Sequence, residues 1–221
     1  MKLVDDYRLL LRFGVHWNTF SKLYSAIPQY LWDVRDCFDT DIDEIKTDDE
    51  DIFKEMREFM SETNKEELDK ITLYTDESIS LDKLYGISNK LKKATEKNVW
   101  LDSGGYIVIE PTEALVSVDV NTGKAVSRKT NPEETFLKIN KEAAVMIAKQ
   151  IKLRNLSGMI LVDFIDMKSE EHKKELIDVF INELHKDRIH TTFVDMTKLG
   201  LVEITRKKVK KPLHEQIGMI R

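Results

Sequence analysis

This sequence is poor in the residues that cross-link or interrupt a chain. Its 221 residues include one Cys, 4 Pro and 8 Gly. A single cysteine excludes an intrachain disulfide and a zinc site built from several cysteines of this chain, and it fits a reducing, cytoplasmic compartment. So few Pro and Gly, with 41% hydrophobic residues, argue against disorder and collagen-like repeats. We therefore expect a folded chain with a substantial core.

Long apolar runs are missing as well. No stretch approaches the ~18 uninterrupted apolar residues that a membrane-spanning helix needs. Near the N-terminus, Asp5 and Asp6 interrupt any signal-peptide apolar region. The sequence predicts a cytoplasmic protein with no membrane partner.

An excess of positive charge is the third absence. The chain carries 35 Lys+Arg against 40 Asp+Glu, a net charge of −5, which argues against a polycation that coats nucleic acid. Residues 39–70 alone hold 14 acidic and 5 basic residues, a balance of −9, so the remainder sums to +4. We interpret this acidic segment as a solvated helix face over an apolar one, with an acidic metal cluster as the alternative.

The pattern of apolar residues changes along the chain. Residues 1–99 are predicted to be mainly helical, with a short strand at 71–74 and a helix over 79–97. From Trp100 the pattern becomes mixed α/β. The spacing predicts strands at 106–109, 114–120, 159–164, 191–194 and 201–205, and helices over 131–154 and 169–186. We divide the chain into residues 1–99, a region 100–207 and a basic tail 208–221.

The helix over 131–154 has the clearest signals. Asn131 is a suitable cap, Pro132 suits the first position, and acidic residues follow at the positive end of the helix dipole. Five small or aliphatic residues form the stripe that we expect to be buried: Ala143, Ala144, Ile147, Ala148 and Ile151.

Two aspartates stand out because each ends a strongly apolar strand. Asp119 lies in Val116–Val120 and Asp163 in Ile160–Phe164, with one predicted helix between them. Neighbouring strands could bring the two carboxylates together, and they would then repel each other unless a hard divalent cation lay between them. Asn121 would point to the same side as Asp119 if the strand continues, so that its carbonyl oxygen could bind the metal or a water.

Structural roles remain open for both carboxylates. Asp119 could cap the turn that follows its strand. Asp163 could be tied to backbone N–H groups, to Lys152 or to Arg154, and Asp166 is interpreted as a turn or capping residue. From the residues alone, a metal site and these structural roles are both possible.

Three blocks of sequence carry a specific resemblance. The first is the run Gly104–Gly123, GGYIVIEPTEALVSVDVNTG; the second runs from Glu134 to the segment Val162–Met167, VDFIDM; the third comprises Asp187, Arg188 and Leu199–Arg206. In order and spacing they closely resemble the ribonuclease E/G family. The strong match covers about residues 100–207, and it is weaker over 24–99.

The resemblance implies a fold and an activity. The expected fold is mixed α/β: a deoxyribonuclease-I-like catalytic subdomain preceded by a mainly helical, partial ribonuclease-H-like one. The expected activity is an endoribonuclease core that cleaves single-stranded RNA in RNA processing or decay. By resemblance, Asp119 and Asp163 bind catalytic Mg²⁺, for which Mn²⁺ could substitute, and Asn121 supports the metal or its water. Metal-activated water would leave a 5′-phosphate and a 3′-hydroxyl.

RNA binding would need cations near the aspartates. The candidates are Lys124, Arg128, Lys129, Lys149, Lys152, Arg154, Arg188, Arg206 and Lys207, the last two in a segment, residues 203–221, with 6 basic and 2 acidic residues. A solvated strand end and a frayed terminus are the alternative for that segment. No aromatic cluster for base stacking is evident from the sequence.

The departures from the family also lead to expectations. We identify no oligonucleotide-binding fold or 5′-end-sensing segment in residues 1–99, and no Cys-Pro-x-Cys zinc link before Arg221. The chain is therefore expected to be a catalytic core without zinc, and any oligomer would lack the zinc-linked contact. The alternatives are a non-catalytic RNA-binding or scaffold protein with the same fold and, less favoured, another metal phosphoesterase.

Overall fold

The structure is a computed structural model that describes residues 27–37, 42–124 and 132–218. The chain divides into two compact units, residues 1–87 and 88–221. The predicted functional boundaries at residues 100 and 208 stay predictions.

The first unit is built from short elements. In chain order these are α1 (Gln29–Cys37), β1 (Ile45–Thr47), α2 (Glu50–Thr63), a 3₁₀ helix (Lys65–Lys70), β2 (Ile71–Leu73) and α3 (Leu81–Tyr85), with α4 (Ile87–Ala94) starting at the boundary. Strands β1 and β2 pair in parallel.

Helix α2 lies in the middle of the acidic segment and holds 5 of its 14 acidic residues. The Asp49 carboxylate accepts hydrogen bonds from the N–H groups of Asp51 and Ile52 and so caps the helix. Met56 and Met60 of this helix are buried, while most of its charged side chains face solvent, as the charge pattern predicts. Among the described residues no three His, Cys, Asp or Glu side chains are grouped so that they could hold a metal, so the acidic-cluster alternative has no support there.

The single helix predicted over residues 79–97 is wrong. Gly86 has φ +60°, a left-handed conformation that ends α3, and α4 begins at the next residue. Residues 98–100 are then a strand, because Asn98–Trp100 pairs with the strand that follows. Local helical spacing did not reveal either the glycine break or this long-range pairing.

The second unit is a six-stranded mixed sheet with helices. Its elements are β3 (Asn98–Trp100), β4 (Tyr106–Pro111), β5 (Val116–Asn121), α5 (Pro132–Arg154), β6 (Gly158–Asp163), α6 (Glu170–Leu184), β7 (Thr191–Met196), β8 (Leu201–Arg206) and α7 (Leu213–Gly218). The strand order is β3-β4-β5-β6-β8-β7. Within the described part of this sheet, β5 and β6 are the one parallel pair, because helix α5 makes the crossover between them. The predicted mixed α/β class is confirmed.

One face of this sheet packs against α5 and α6. Alternate residues of the strands, such as Val118, Ile160 and Val202, are at most 2% exposed and join one hydrophobic core. All five residues of the predicted α5 stripe are buried in that core. No helix in the described ranges is long and apolar enough to cross a membrane.

Candidate metal centre and nucleic-acid interface

Asp119 and Asp163 are direct neighbours at the carboxyl ends of two parallel strands. Asp119 on β5 is in register with Asp163 on β6. Strand neighbours are about 4.8 Å apart and point to the same face. The alternate residues Val118, Val120 and Val162 point into the core, so both carboxylates lie on the opposite face, where both residues are exposed. We call this opposite side of the sheet the aspartate face.

The electrostatics of this pair are unfavourable. Partial burial, together with the negative charges of Asp119 and Asp166, raises the pKa of Asp163 above its ordinary value. In the described part of the chain, Lys152 and Arg154 precede the start of β6 whereas Asp163 is at its end, and Arg154 donates to Gln150, so a structural role for Asp163 as the partner of these cations has no support. The arrangement concentrates negative charge that a hard cation would neutralise.

Asn121 belongs to the same group. Its side-chain amide donates a hydrogen bond of 2.7 Å to Asp119 Oδ2, across two residues on one face of β5. This bond fixes the Asp119 carboxylate and leaves the Asn121 carbonyl oxygen as an additional hard donor. The predicted grouping of Asp119, Asn121 and Asp163 on one face therefore agrees with the strand register.

The end of β5 requires glycine in the neighbouring turn. A Cβ on Gly105 would lie 2.8 Å from the Asn121 carbonyl oxygen. Gly123 has φ +52°, and a Cβ there would lie 2.4 Å from the Gly104 carbonyl oxygen. Side chains at these positions would push the two turns apart and displace Asn121, which explains the glycines in this segment.

Helix α5 fixes the loops around the site through three polar side chains. Glu142 accepts hydrogen bonds from the N–H groups of Asp102 and Ser103 in the β3–β4 turn. Glu133 accepts from the N–H groups of Lys168 and Ser169, bonds that lower its pKa. Asn140, which is fully buried, both accepts from the Ile165 N–H and donates to the Ile165 carbonyl. The segment after Asp163 is thereby held by a side chain of the core.

We expect Asn140→Ala to destabilise the protein by about 2–4 kcal/mol, because it leaves the partly buried N–H and C=O of Ile165 without this partner. Chemical denaturation measures the change in the free energy of unfolding. The matched control is Asn182→Ala, an exposed asparagine of α6, for which we expect a change within about 0.5 kcal/mol. Equal stability of the two variants would contradict this role of Asn140.

The predicted RNA-binding cations are divided between the two ends of the central strands. We call the end at which β5 and β6 finish the aspartate edge, and the opposite end the far edge. Lys124 follows Asn121 in the turn after β5, at the edge of the aspartates. Lys152, Arg154, Arg188, Arg206 and Lys207 lie toward the other edge, where β6 begins and β8 ends, about 16 Å away along the strands. Arg128, with Lys129, lies outside the described residues.

Two of these arginines are buried. Arg206 is 4% exposed, forms a 2.8 Å ion pair with Asp187 and donates to the Leu156 carbonyl. Arg154 is 6% exposed and donates to Gln150. Both side chains therefore make contacts inside the second unit, a role that their basic character in the sequence did not indicate.

The sequence interpretation missed two cations near the aspartates. Lys168 lies in the loop after β6, and Lys198 lies in the turn between β7 and β8; both are exposed. Asp163 pairs with Leu201 at the start of β8, so both loops leave the sheet at the aspartate edge. Lys168 could have been found from the sequence, because it follows the strand that ends in Asp163. Lys198 could not, because only the pairing of β6 with β8 brings its turn to this end of the strands.

The chain is similar to known proteins of one family. The model of the Ribonuclease E/G family matches residues 4–209. The chain is 40% identical over 209 residues to ribonuclease G of Haemophilus influenzae, covering 94% of this chain and 42% of that protein. It is 38% identical over 196 residues to ribonuclease G of Escherichia coli K12, covering 89% and 40%. It is 43% identical over 142 residues to ribonuclease E of Synechocystis, covering 64% and 21%.

The family match runs through both units of the chain and includes the strands that carry the aspartates. The chain spans about two fifths of the length of the two ribonuclease G relatives. Because the family match covers nearly all of the sequence, the chain belongs to the ribonuclease E/G family.

Proposed function

We propose that this chain is the catalytic core of a Mg²⁺-dependent endoribonuclease that cleaves single-stranded RNA. The observation that carries the proposal is the in-register pair Asp119 and Asp163 with Asn121 bonded to Asp119. Family membership supports RNA as the substrate, since the relatives are named ribonucleases. We further propose that residues 100–207 are deoxyribonuclease-I-like and that a partial ribonuclease-H-like region precedes them.

The donor set fits Mg²⁺. Two carboxylates and an amide carbonyl are hard oxygen donors, and Mg²⁺ is commonly held by one or two carboxylates together with waters and substrate phosphates. A structural zinc site would instead favour four nitrogen or sulfur ligands. Mn²⁺ accepts the same oxygen ligands, so we expect it to substitute.

The residues of the chain have separate roles in this proposal. Asp119 and Asp163 would hold the cation, and Asn121 fixes the Asp119 carboxylate through the bond to Oδ2. When bound, Mg²⁺ would polarise the scissile phosphate and lower the pKa of a coordinated water. Attack of water on phosphorus with cleavage of the P–O3′ bond leaves a 5′-phosphate and a 3′-hydroxyl.

RNA would approach along the aspartate edge. Lys124, Lys168 and Lys198 lie in three loops at this edge and offer phosphate contacts, which give affinity without sequence preference. Lys207 and Arg188 are exposed at the far edge, where they could contact more distant phosphates.

The test is cleavage of a labelled, single-stranded, AU-rich RNA. We expect cleavage with Mg²⁺ or Mn²⁺, none in EDTA, and products with 5′-phosphate and 3′-hydroxyl ends by enzymatic end-labelling. Cyclic 2′,3′-phosphate ends or full activity in EDTA would contradict the mechanism. RNA binding without cleavage under all metal conditions would favour the scaffold alternative.

A further inference from the structure

An exposed tryptophan and a half-buried tyrosine are paired on the aspartate face of the sheet. Trp100 on β3 and Tyr106 on β4 are directly paired across the strands, with ring centroids 5.2 Å apart and ring planes inclined by 51°. Trp100 is 69% exposed. No aromatic cluster was evident along the chain, because the two residues become neighbours only through the pairing of β3 with β4.

Strand register places the pair on the aspartate face. Tyr106 is in register with Asn121, whose amide holds Asp119. Residues in register point to the same face, so Trp100, Tyr106 and Asn121 form one row across three strands. The backbones of Tyr106 and Trp100 are about 5 and 10 Å from that of Asn121. The neighbouring row contains Asp119 and Asp163.

The aromatic pair sits on a fixed support. In the turn between the two residues, the Leu101 N–H donates to the Gly105 carbonyl and the Gly104 N–H donates to the Leu101 carbonyl. Glu142 of helix α5 accepts from two further N–H groups of the same turn. Binding of a ligand to these rings would therefore cost little conformational entropy, because the surface is already ordered.

We propose that Trp100 and Tyr106 form a stacking platform for a nucleobase of the RNA strand whose scissile phosphate lies at Asp119 and Asp163. This inference rests on the proposed function. An exposed indole beside a phenol offers a flat, apolar surface that suits an unstacked base of single-stranded RNA. Tyr106 and Trp100 lie one and two strands across and two residues along from Asp119, or about 8 and 12 Å between backbones, which places that base within one or two nucleotides of the scissile phosphate. Stacking tolerates every base, so the platform would position the strand without selecting a sequence.

The test combines protein and RNA substitutions. We expect Trp100→Ala to lower kcat/KM for single-stranded RNA by about 5- to 150-fold, with Trp100→Phe intermediate. An abasic nucleotide next to the scissile phosphate should lower wild-type kcat/KM comparably and should cause little further loss in Trp100→Ala, because both changes remove the same contact. The matched control is Val194→Ala, an exposed residue of the opposite edge strand, which should leave both values unchanged.

A binding measurement separates this inference from the proposed function. In EDTA, uncleaved RNA should quench tryptophan fluorescence of the wild type, and the Trp100-dependent part of the quenching should be absent in Trp100→Phe.

Metal-dependent cleavage that is equally fast in Trp100→Ala and Val194→Ala would overturn the platform and leave the proposed function standing. Quenching through Trp100 without cleavage would support the platform and overturn the proposed activity. Equal quenching in the wild type and Trp100→Phe would overturn the platform whatever the cleavage result. Thermal melting checks that Trp100→Ala is folded.

Discussion

We expect Asp163→Asn to lower cleavage of single-stranded RNA by more than about 100-fold while raising the thermal stability of the metal-free protein. The loss of activity follows from the removal of one of two carboxylates that would hold the cation. Even residues that only support metal ligands typically contribute 10- to 100-fold. Asp119→Asn should cause a similar loss.

The gain in stability has the opposite sign for a physical reason. The pKa of Asp163 is raised in the folded protein by partial burial and by its acidic neighbours. The ionised carboxylate therefore destabilises the folded state at neutral pH. That penalty fades as the pH falls through the raised pKa, so the difference between variant and wild type should shrink in acid.

Thermal melting in EDTA, with and without added Mg²⁺, measures this effect. Mg²⁺ should raise the melting temperature of the wild type and should have much less effect on Asp163→Asn, because ligand binding stabilises only the form that binds it. Asp178→Asn, which removes the same charge from an exposed position on α6, is the control for both activity and stability. Cleavage that survives in Asp163→Asn and in Asp119→Asn would refute the metal assignment.

The second large effect concerns stability at the far edge of the sheet. We expect Arg206→Met to destabilise the protein by about 3–5 kcal/mol, because it leaves the carboxylate of Asp187 buried without its partner. The side chains of Arg206 and Asp187 are 2% and 8% exposed. The same guanidinium donates to the Asn155 side chain and to the Leu156 carbonyl, so it ties the end of β8 to the start of β6.

Denaturant titration and thermal melting check this prediction. A loss of this size corresponds to a melting temperature lower by about 10 °C. The double variant Arg206→Met with Asp187→Leu should lose less than the sum of the two single changes, because it removes both charges. Lys207→Met, at the adjacent exposed position, should change stability by less than about 0.5 kcal/mol. A stable Arg206→Met variant with weakened RNA binding would contradict this structural role and would indicate that Arg206 contacts RNA.

Local signals in the sequence were sufficient for the main elements of the second unit. Helix α5 runs from Pro132 to Arg154 as its N-terminal signals and apolar stripe predict. The juxtaposition of Asp119 and Asp163 was also predictable, since two apolar strands joined by one helix usually pair in parallel. In the first case the signals lie within one helix, and in the second they lie in two strands joined by one helix.

Features that depend on distant pairing were not predictable in this way. The basic run near Arg206 has the same composition whether it is solvated or ion-paired, and only the packing of Asp187 against β8 decides. Trp100 and Tyr106 are separated by a turn, and Lys198 reaches the aspartate edge through the pairing of β6 with β8. The break at Gly86 had a local signal, but helical spacing on both sides outweighed it.

The alternation of residues along β5 and β6 has a consequence for how this sequence can change over time. Val118 and Val162 face the core, and the adjacent Asp119 and Asp163 face the other way. Under the proposed function, substitutions on one side of the sheet would act mainly on folding, and those on the other would act mainly on chemistry. Selection can therefore adjust robustness and activity along the same strands almost independently, one residue apart.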